Sequence, residues 1–186
     1  MRKLRLLILL ATTAFLVATA WTQGYRPQAG QTVLNLDIEG RGQVSILLFT
    51  KEAPKTTAQI IRLAQSGFYN GQKFFKVVKK PKPFLIQTGD PGSKTKNADD
   101  PSLGKGGSGS KVPFEDSGNP NVEGAVGLST LPNDRDSGDS QFYILLGPAR
   151  FLDGSYTVFG KVVSGMDVVR SVELGDKVTS ATILRG

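Results

Sequence analysis

The feature that most constrains this chain is a series of short apolar runs with a two-residue period, broken by only two stretches of helical period. Thr32 to Ile38 places Leu34, Leu36 and Ile38 on one face, and Val44 to Phe49 does the same with Val44, Ile46 and Leu48. Strict alternation of this kind is the pattern of a half-buried strand. The link Glu39-Gly40-Arg41-Gly42 is rich in turn residues, so the two runs read as a hairpin. The period then changes. Pro54 suits a first helical turn, Ile60, Ile61, Ala64 and Phe68 recur at three- and four-residue steps, and Gly67 supplies a stop. Further strand-like runs follow at Phe74–Val78, Phe84–Thr88, Gly124–Ser129, Gln141–Leu146 and Thr157–Val163. A short helix is expected around Met166–Val172 and a last strand over Val178–Leu184. Many short strands with two helices point to an all-β fold, a closed barrel plugged by the helices. Closure removes the exposed strand edges. Asp90–Ser110 and Pro132–Asp139 are polar and are expected to be flexible. No internal repeat is visible.

The 186 residues contain neither Cys nor His. That excludes disulfides, zinc sites of the Cys/His type, Cys nucleophiles and every His-based catalytic triad. Any catalysis must use Lys, Arg, carboxylates, hydroxyls, amides or backbone, and no metal or cofactor is expected.

The first twenty residues stand apart. Arg2, Lys3 and Arg5 form a basic start, Leu6 to Ala18 is an apolar run, and Ala18-Thr19-Ala20 has the small-x-small pattern of a cleavage site. The run is shorter than the ~20 apolar residues of a spanning helix. Residues 1–20 therefore read as a secretory signal or, if uncleaved, a membrane anchor; 21–31 as a linker; and 32–186 as the folded domain. An extracytoplasmic location such as a periplasm follows. Loss of the three cations at positions 2, 3 and 5 lowers the formal charge from +7 to +4. So mild a surplus does not support a nucleic-acid partner. Lys73, Lys76, Lys79, Lys80 and Lys82 form a local basic run. It reads either as a solvated face or as a contact to an acidic partner or anionic surface.

Three motifs fail on context. Gly104 to Gly109 fits G-x-G-x-x-G but neither follows a strand nor opens a helix. Gly92-Ser93-Lys94-Thr95 resembles the end of a phosphate loop with its first Gly misplaced. Asp134 to Asp139 looks like a calcium loop, but a Gly takes one ligand position and the closing Glu is missing.

Several separated segments together resemble one family, the cyclophilin-type peptidyl-prolyl isomerases. Pro54-Lys55-Thr56 with Gly67-Phe68-Tyr69-Asn70-Gly71 is similar to that family's first helix and exit turn. Phe74-Phe75-Lys76-Val77-Val78 resembles its Phe-His-Arg-aliphatic strand, and Phe84 to Pro91 its Phe-Met-x-Gln-Gly-Gly-Asp motif. Ser140-Gln141-Phe142-Tyr143-Ile144 and the stretch from Phe151 to Val162 resemble two further motifs in the expected order. The resemblance runs from about Val33 to Leu184. It implies an eight-stranded antiparallel barrel closed by two helices, a monomer, Pro-containing polypeptides as partners, and acceleration of rotation about X–Pro bonds.

The resemblance also implies a site. An apolar proline pocket maps to Phe84, Leu85, Tyr143 and Leu152, with Phe151 where a Trp is frequent. Gln87 and Gln141 would meet the substrate backbone, although Gln on a strand would ordinarily face solvent. Ser129, Thr130 and Leu131 lie in a stretch whose backbone binds substrate, and Tyr156 stands at the place of a frequent His. The family's His-Arg pair is here Phe75-Lys76. Lys76, with Gln87, is thus the expected catalytic residue, as a point charge on a flexible stem and not a planar fork. The link Lys79-Lys80-Pro81-Lys82-Pro83 is about three residues longer than the family pattern, which is expected to displace Phe84 relative to Lys76.

Overall fold

A computed structural model describes residues 24–186. The strands are β1 (Thr32–Ile38), β2 (Gly42–Leu48), β3 (Lys76–Val78), β4 (Leu85–Thr88), β5 (Ala125–Leu128), β6 (Phe142–Leu145), β7 (Val158–Ser164) and β8 (Val178–Arg185). The helices are α1 (Pro54–Gln65) and α2 (Met166–Ser171). The signal or anchor reading of 1–20, and the first part of the linker with Trp21, lie outside the described residues.

The strands form one antiparallel sheet in the order β3-β4-β6-β5-β7-β2-β1-β8. The sheet curls until its ends meet. Residues just before β3 bond to the start of β8 and the turn before it: Gly71 N–H donates to Val178 O (2.7 Å), Val178 N–H to Gln72 O (2.8 Å), Phe74 N–H to Asp176 O and Gly175 N–H to Phe74 O (both 2.9 Å). This seam, in place of a ladder between β3 and β8, covers edge groups that would otherwise be open to pairing.

Leu34, Leu36, Val44, Ile46 and Leu48 point into the main core with α1 residues Ile60, Leu63 and Ala64. Tyr69, Phe142 and Phe159 continue it as edge-to-face rings at 5.5 and 6.1 Å, a preferred aromatic geometry. α1 cannot cap itself, since Ala53 offers no side-chain acceptor. Glu115 does so from a distant loop, accepting from Lys55 N–H (2.9 Å), Thr56 N–H (2.8 Å) and Thr56 Oγ1 (2.7 Å). A carboxylate there satisfies orphan amides and meets the positive helix end.

β4, β5 and β6 are buried throughout. Ile86, Val126, Leu128, Phe142 and Ile144 belong to the barrel core. Leu85, Ala125, Tyr143 and Leu145, one residue out of step, form a second cluster with Ala149 and Val158, joined by Phe49, Phe84, Leu152 and Tyr156. Both faces of this part of the sheet are therefore covered, and the outer cover is where the site lies.

The two polar stretches are not loose ends. Asp90, only 2% exposed, accepts from Gly92 N–H (2.8 Å), Gly104 N–H (2.8 Å) and Gly106 N–H (2.9 Å). Asp139 accepts from Ser108 N–H and Gly109 N–H, each at 2.9 Å, and from Ser108 Oγ at 2.5 Å. Two carboxylates thus gather the glycine-rich run onto the barrel. Glycine is required where the wrap is tightest, because a Cβ at Gly106 would lie 2.5 Å from Asp90 Oδ1.

Candidate active site

Cross-strand register builds the site. Lys76 pairs with Gln87, Gln87 with Tyr143, and Tyr143 with Gly127. Directly paired residues share a face, so these four form one row across β3, β4, β6 and β5. The row runs beneath a groove of about 480 Å³. Leu85, Phe84, Leu152 and Tyr156 supply apolar lining, Ser129, Thr130 and Pro132 come from the loop after β5, and Leu103 and Gly104 come from the pinned glycine loop. Phe75 completes the lining beside Lys76. The site also holds no group of three or more potential metal-ligating side chains among the described residues.

Tyr143 is 3% exposed and donates its hydroxyl to Asn121 Oδ1 at 2.7 Å. Asn121 in turn donates from its N–H (2.7 Å) and Nδ2 (3.2 Å) to Asp153 Oδ1. Burial pushes the Tyr143 phenol above its ordinary range, with the neighbouring Tyr156 adding to the effect. The Asn121 N–H bond holds the Asp153 carboxyl below the usual carboxylate range, helped by the Asn121 side chain and by Arg150. The ring can lie flat in the row because Gly127 has no side chain: a Cβ there would sit 2.2 Å from Tyr143 Cζ.

The amides form a second chain. Gln87 Nε2 donates to Ser129 Oγ and to Gln141 Oε1, both at 3.0 Å, and Gln141 Nε2 donates to Gly106 O at 2.6 Å. Gln87 is buried at 7% exposure despite its strand position. Both its N–H groups are used, and no hydrogen bond from the described residues reaches its Oε1, which is left as an acceptor toward the groove. Lys76 is exposed, and its side chain has neither an ion pair nor a hydrogen bond among the described residues.

Nine of the twelve expected residues line the groove: Lys76, Phe84, Leu85, Gln87, Ser129, Thr130, Tyr143, Leu152 and Tyr156. The other three stand beside it. Gln141 acts through Gln87 and faces the adjoining pocket with Gly106. Leu131, 46% exposed, lines neighbouring depressions. Phe151, 75% exposed, stacks on Phe84 at 5.8 Å and is absent from the groove lining. Leu103, Gly104 and Pro132 were not expected. The available signal for the first two was Asp90 followed by closely spaced glycines, a spacing that lets backbone amides approach a carboxylate. The long Lys79–Pro83 link leaves β3 and β4 paired in register. Phe84 N–H donates to Val78 O at 2.9 Å, Val78 pairs with Leu85, and the extra residues bulge outward, with Lys79 paired to Glu173 at 2.7 Å.

A curled antiparallel barrel thus carries an apolar, amide-flanked groove on its outer face. Residues 33–184 match the family described as cyclophilin type peptidyl-prolyl cis-trans isomerase/CLD, and the chain belongs to that family. It is 40% identical over 145 residues to a probable peptidyl-prolyl cis-trans isomerase of Brucella suis, covering 76% of this chain and 72% of that one. It is 35% identical over 146 residues to a peptidyl-prolyl cis-trans isomerase of Synechococcus elongatus, covering 77% and 91%. The fold is similar to a Cryptosporidium parvum cyclophilin-type isomerase (TM-score 0.71, 21% identity, 84% of this chain and 99% of that one). It is also similar to the cyclophilin AquaCyp293 of Hirschia baltica (TM-score 0.66, 22% identity, 82% and 76%).

Proposed function

We propose that this isomerase acts on Pro-containing segments of exported proteins, holding the proline ring in the groove and stabilising the twisted amide with Lys76. The observation that carries the reading is the row Lys76–Gln87–Tyr143 lying under an apolar lining of Phe84, Leu85 and Leu152. The basic and apolar start of the chain supports export.

The barrier to X–Pro rotation is about 18–20 kcal/mol and comes from amide resonance. At the perpendicular state resonance is lost and the prolyl nitrogen becomes a hydrogen-bond acceptor. Neither planar isomer offers that acceptor, so a donor aimed there favours the twisted state over both. Lys76 Nζ is the charged donor in the groove. Gln87 Oε1 accepts a substrate N–H, held in place by the bonds of its own amide to Ser129 and Gln141. The ring fills the apolar lining while the flanking chain rotates. No proton is transferred, so the lack of His removes nothing from this scheme.

The test is X–Pro exchange in a short peptide series, followed by NMR for the protein and its Lys76→Ala variant. Loss of an electrostatic donor of this kind costs about 10²-fold in rate. The expected result is acceleration by the parent and a drop of at least tenfold in the variant. A second reading, peptide binding without catalysis, is favoured by the exposed and unpartnered state of Lys76. It is established if the parent binds the peptides but leaves their exchange rate unchanged.

A further inference from the structure

The charge around the groove is one-sided. Beyond Gly104, Ser129 and Thr130, the groove passes into a pocket of about 120 Å³ that shares those three residues and adds Lys105 and Lys111. Lys111 also lines a shallow depression of about 360 Å³ with Lys55 and Arg62. Lys76, Lys105, Lys111, Lys55 and Arg62 thus mark one continuous path, and none is ion-paired among the described residues. Asp139 is the one carboxylate lining this path. Its oxygens are already taken by Ser108 and Gly109. Glu115, close to Lys55, is likewise taken by the start of α1. The opposite flank is different. It is lined by Asp134 with Arg135, whose guanidinium lies 3.4 Å over the Phe114 ring, and by Leu152 and Tyr156.

We infer that this path selects client segments carrying acidic side chains on one side of the proline, the side that runs toward Lys105 and Lys111. The inference rests on the groove being the peptide site and names its substrate class. A carboxylate on the bound segment would meet five cations against the single lining carboxylate of Asp139. A cationic side chain would meet an excess of like charge. Exposed pairs are individually weak, but three acting together are worth about tenfold, and they fade with salt.

Two peptide series test this, each with three Glu, Gln or Lys residues separated by one alanine from a single proline, placed before it in one series and after it in the other. Affinity and exchange rate are both read by NMR at low salt. In one series only, Glu peptides are expected to bind about tenfold tighter than Gln peptides, with Lys peptides weaker still. That ratio falls within twofold at 1 M NaCl and in the Lys105→Gln/Lys111→Gln protein. Because each ratio compares peptides on the same protein, a fold defect in the variant does not mimic the result. Glu-to-Gln ratios below two in both series, or a ratio unchanged in the double variant, would overturn the inference. So would capture of anionic vesicles through these lysines without any Glu preference. If Gln peptides bind but do not exchange faster, the isomerase mechanism fails, while the affinity ratios still decide the acidic preference.

Discussion

Asp90 follows β4 by two residues and holds the loop that forms one wall of the groove, so replacing it tests how the site is assembled. Its carboxylate takes three backbone N–H groups, from Gly92, Gly104 and Gly106. Hydrogen bonds to a charged group are worth about 1.5–3 kcal/mol each, and a donor left buried without a partner costs about 1–3 kcal/mol. Some of the freed amides will reach water, since Gly104 and Gly106 are half-buried. Asp90→Ala is therefore expected to cost about 3–5 kcal/mol in urea unfolding. Asp90→Asn retains an acceptor for part of the set and should cost about half as much. The damage should reach the site. Gly106 O anchors Gln141, and Gln141 orients Gln87. A displacement of about 1 Å in such a support can cost on the order of 10²-fold in rate. Amide hydrogen exchange at Gly104 and Gly106, measured beside the isomerisation rate, separates local release of the loop from global unfolding. The reasoning is refuted if Asp90→Ala unfolds within about 1 kcal/mol of the parent and those two amides keep their protection.

Three other outcomes follow from the same geometry. Gly127→Ala drives a methyl into the Tyr143 ring, where 2.2 Å is available. It should cost about 1–3 kcal/mol and lower peptide affinity, whereas Tyr143→Phe, which keeps the ring, should largely retain binding. Acid should weaken the outer cluster with a defined sign. Asp153 is held below the ordinary carboxylate value when folded. Its contribution is therefore present above about pH 4 and is lost as the pH falls through the lower folded value. Asp153→Asn should flatten that part of a stability–pH curve. Phe151→Ser should alter unfolding by less than about 1 kcal/mol because its ring is 75% exposed. It should nevertheless weaken peptides with an apolar residue beside the proline, as read by titration, since Phe151 extends the Phe84 surface.

What was legible in the sequence is what has a local period. The eight strands and two helices fall within about two residues of the positions read from the sequence, because β1 and β2 alternate apolar residues toward the core while the shorter, doubly covered strands are compact apolar runs bounded by turn residues. The row Lys76–Gln87–Tyr143 needed register, yet each member lay in a strand with its own motif. The missing pieces are those joined by long-range polar contacts. Glu115 caps α1 through Lys55 N–H, 60 residues earlier in the chain. Asp90 wraps Gly104 and Gly106, so a run of glycines and lysines that reads as loose chain becomes a wall of the groove. Polar composition does not distinguish a solvated loop from one folded around a buried carboxylate. Only the acceptor's position in space makes that distinction.

The Lys79–Pro83 excursion leaves intact the pairing of the two strands it joins. Counting residues suggests that a longer link should carry Phe84 away from Lys76. The strand pairing prevents it. Phe84 N–H to Val78 O and the Val78–Leu85 pair fix where β4 begins, and Lys76 then faces Gln87 whatever lies between. Extra residues in a surface link add little closure cost, about 0.6 kcal/mol per doubling of length, whereas slipping the register by one residue would turn Leu85 and Gln87 to the wrong faces. Phe75 packs near Gly104, where a Cβ on the glycine would lie 3.6 Å from the ring, and Lys76 places an exposed ammonium group in the groove lining. On the proposed mechanism, catalytic power rests on how well a single flexible ammonium group is held at the prolyl nitrogen.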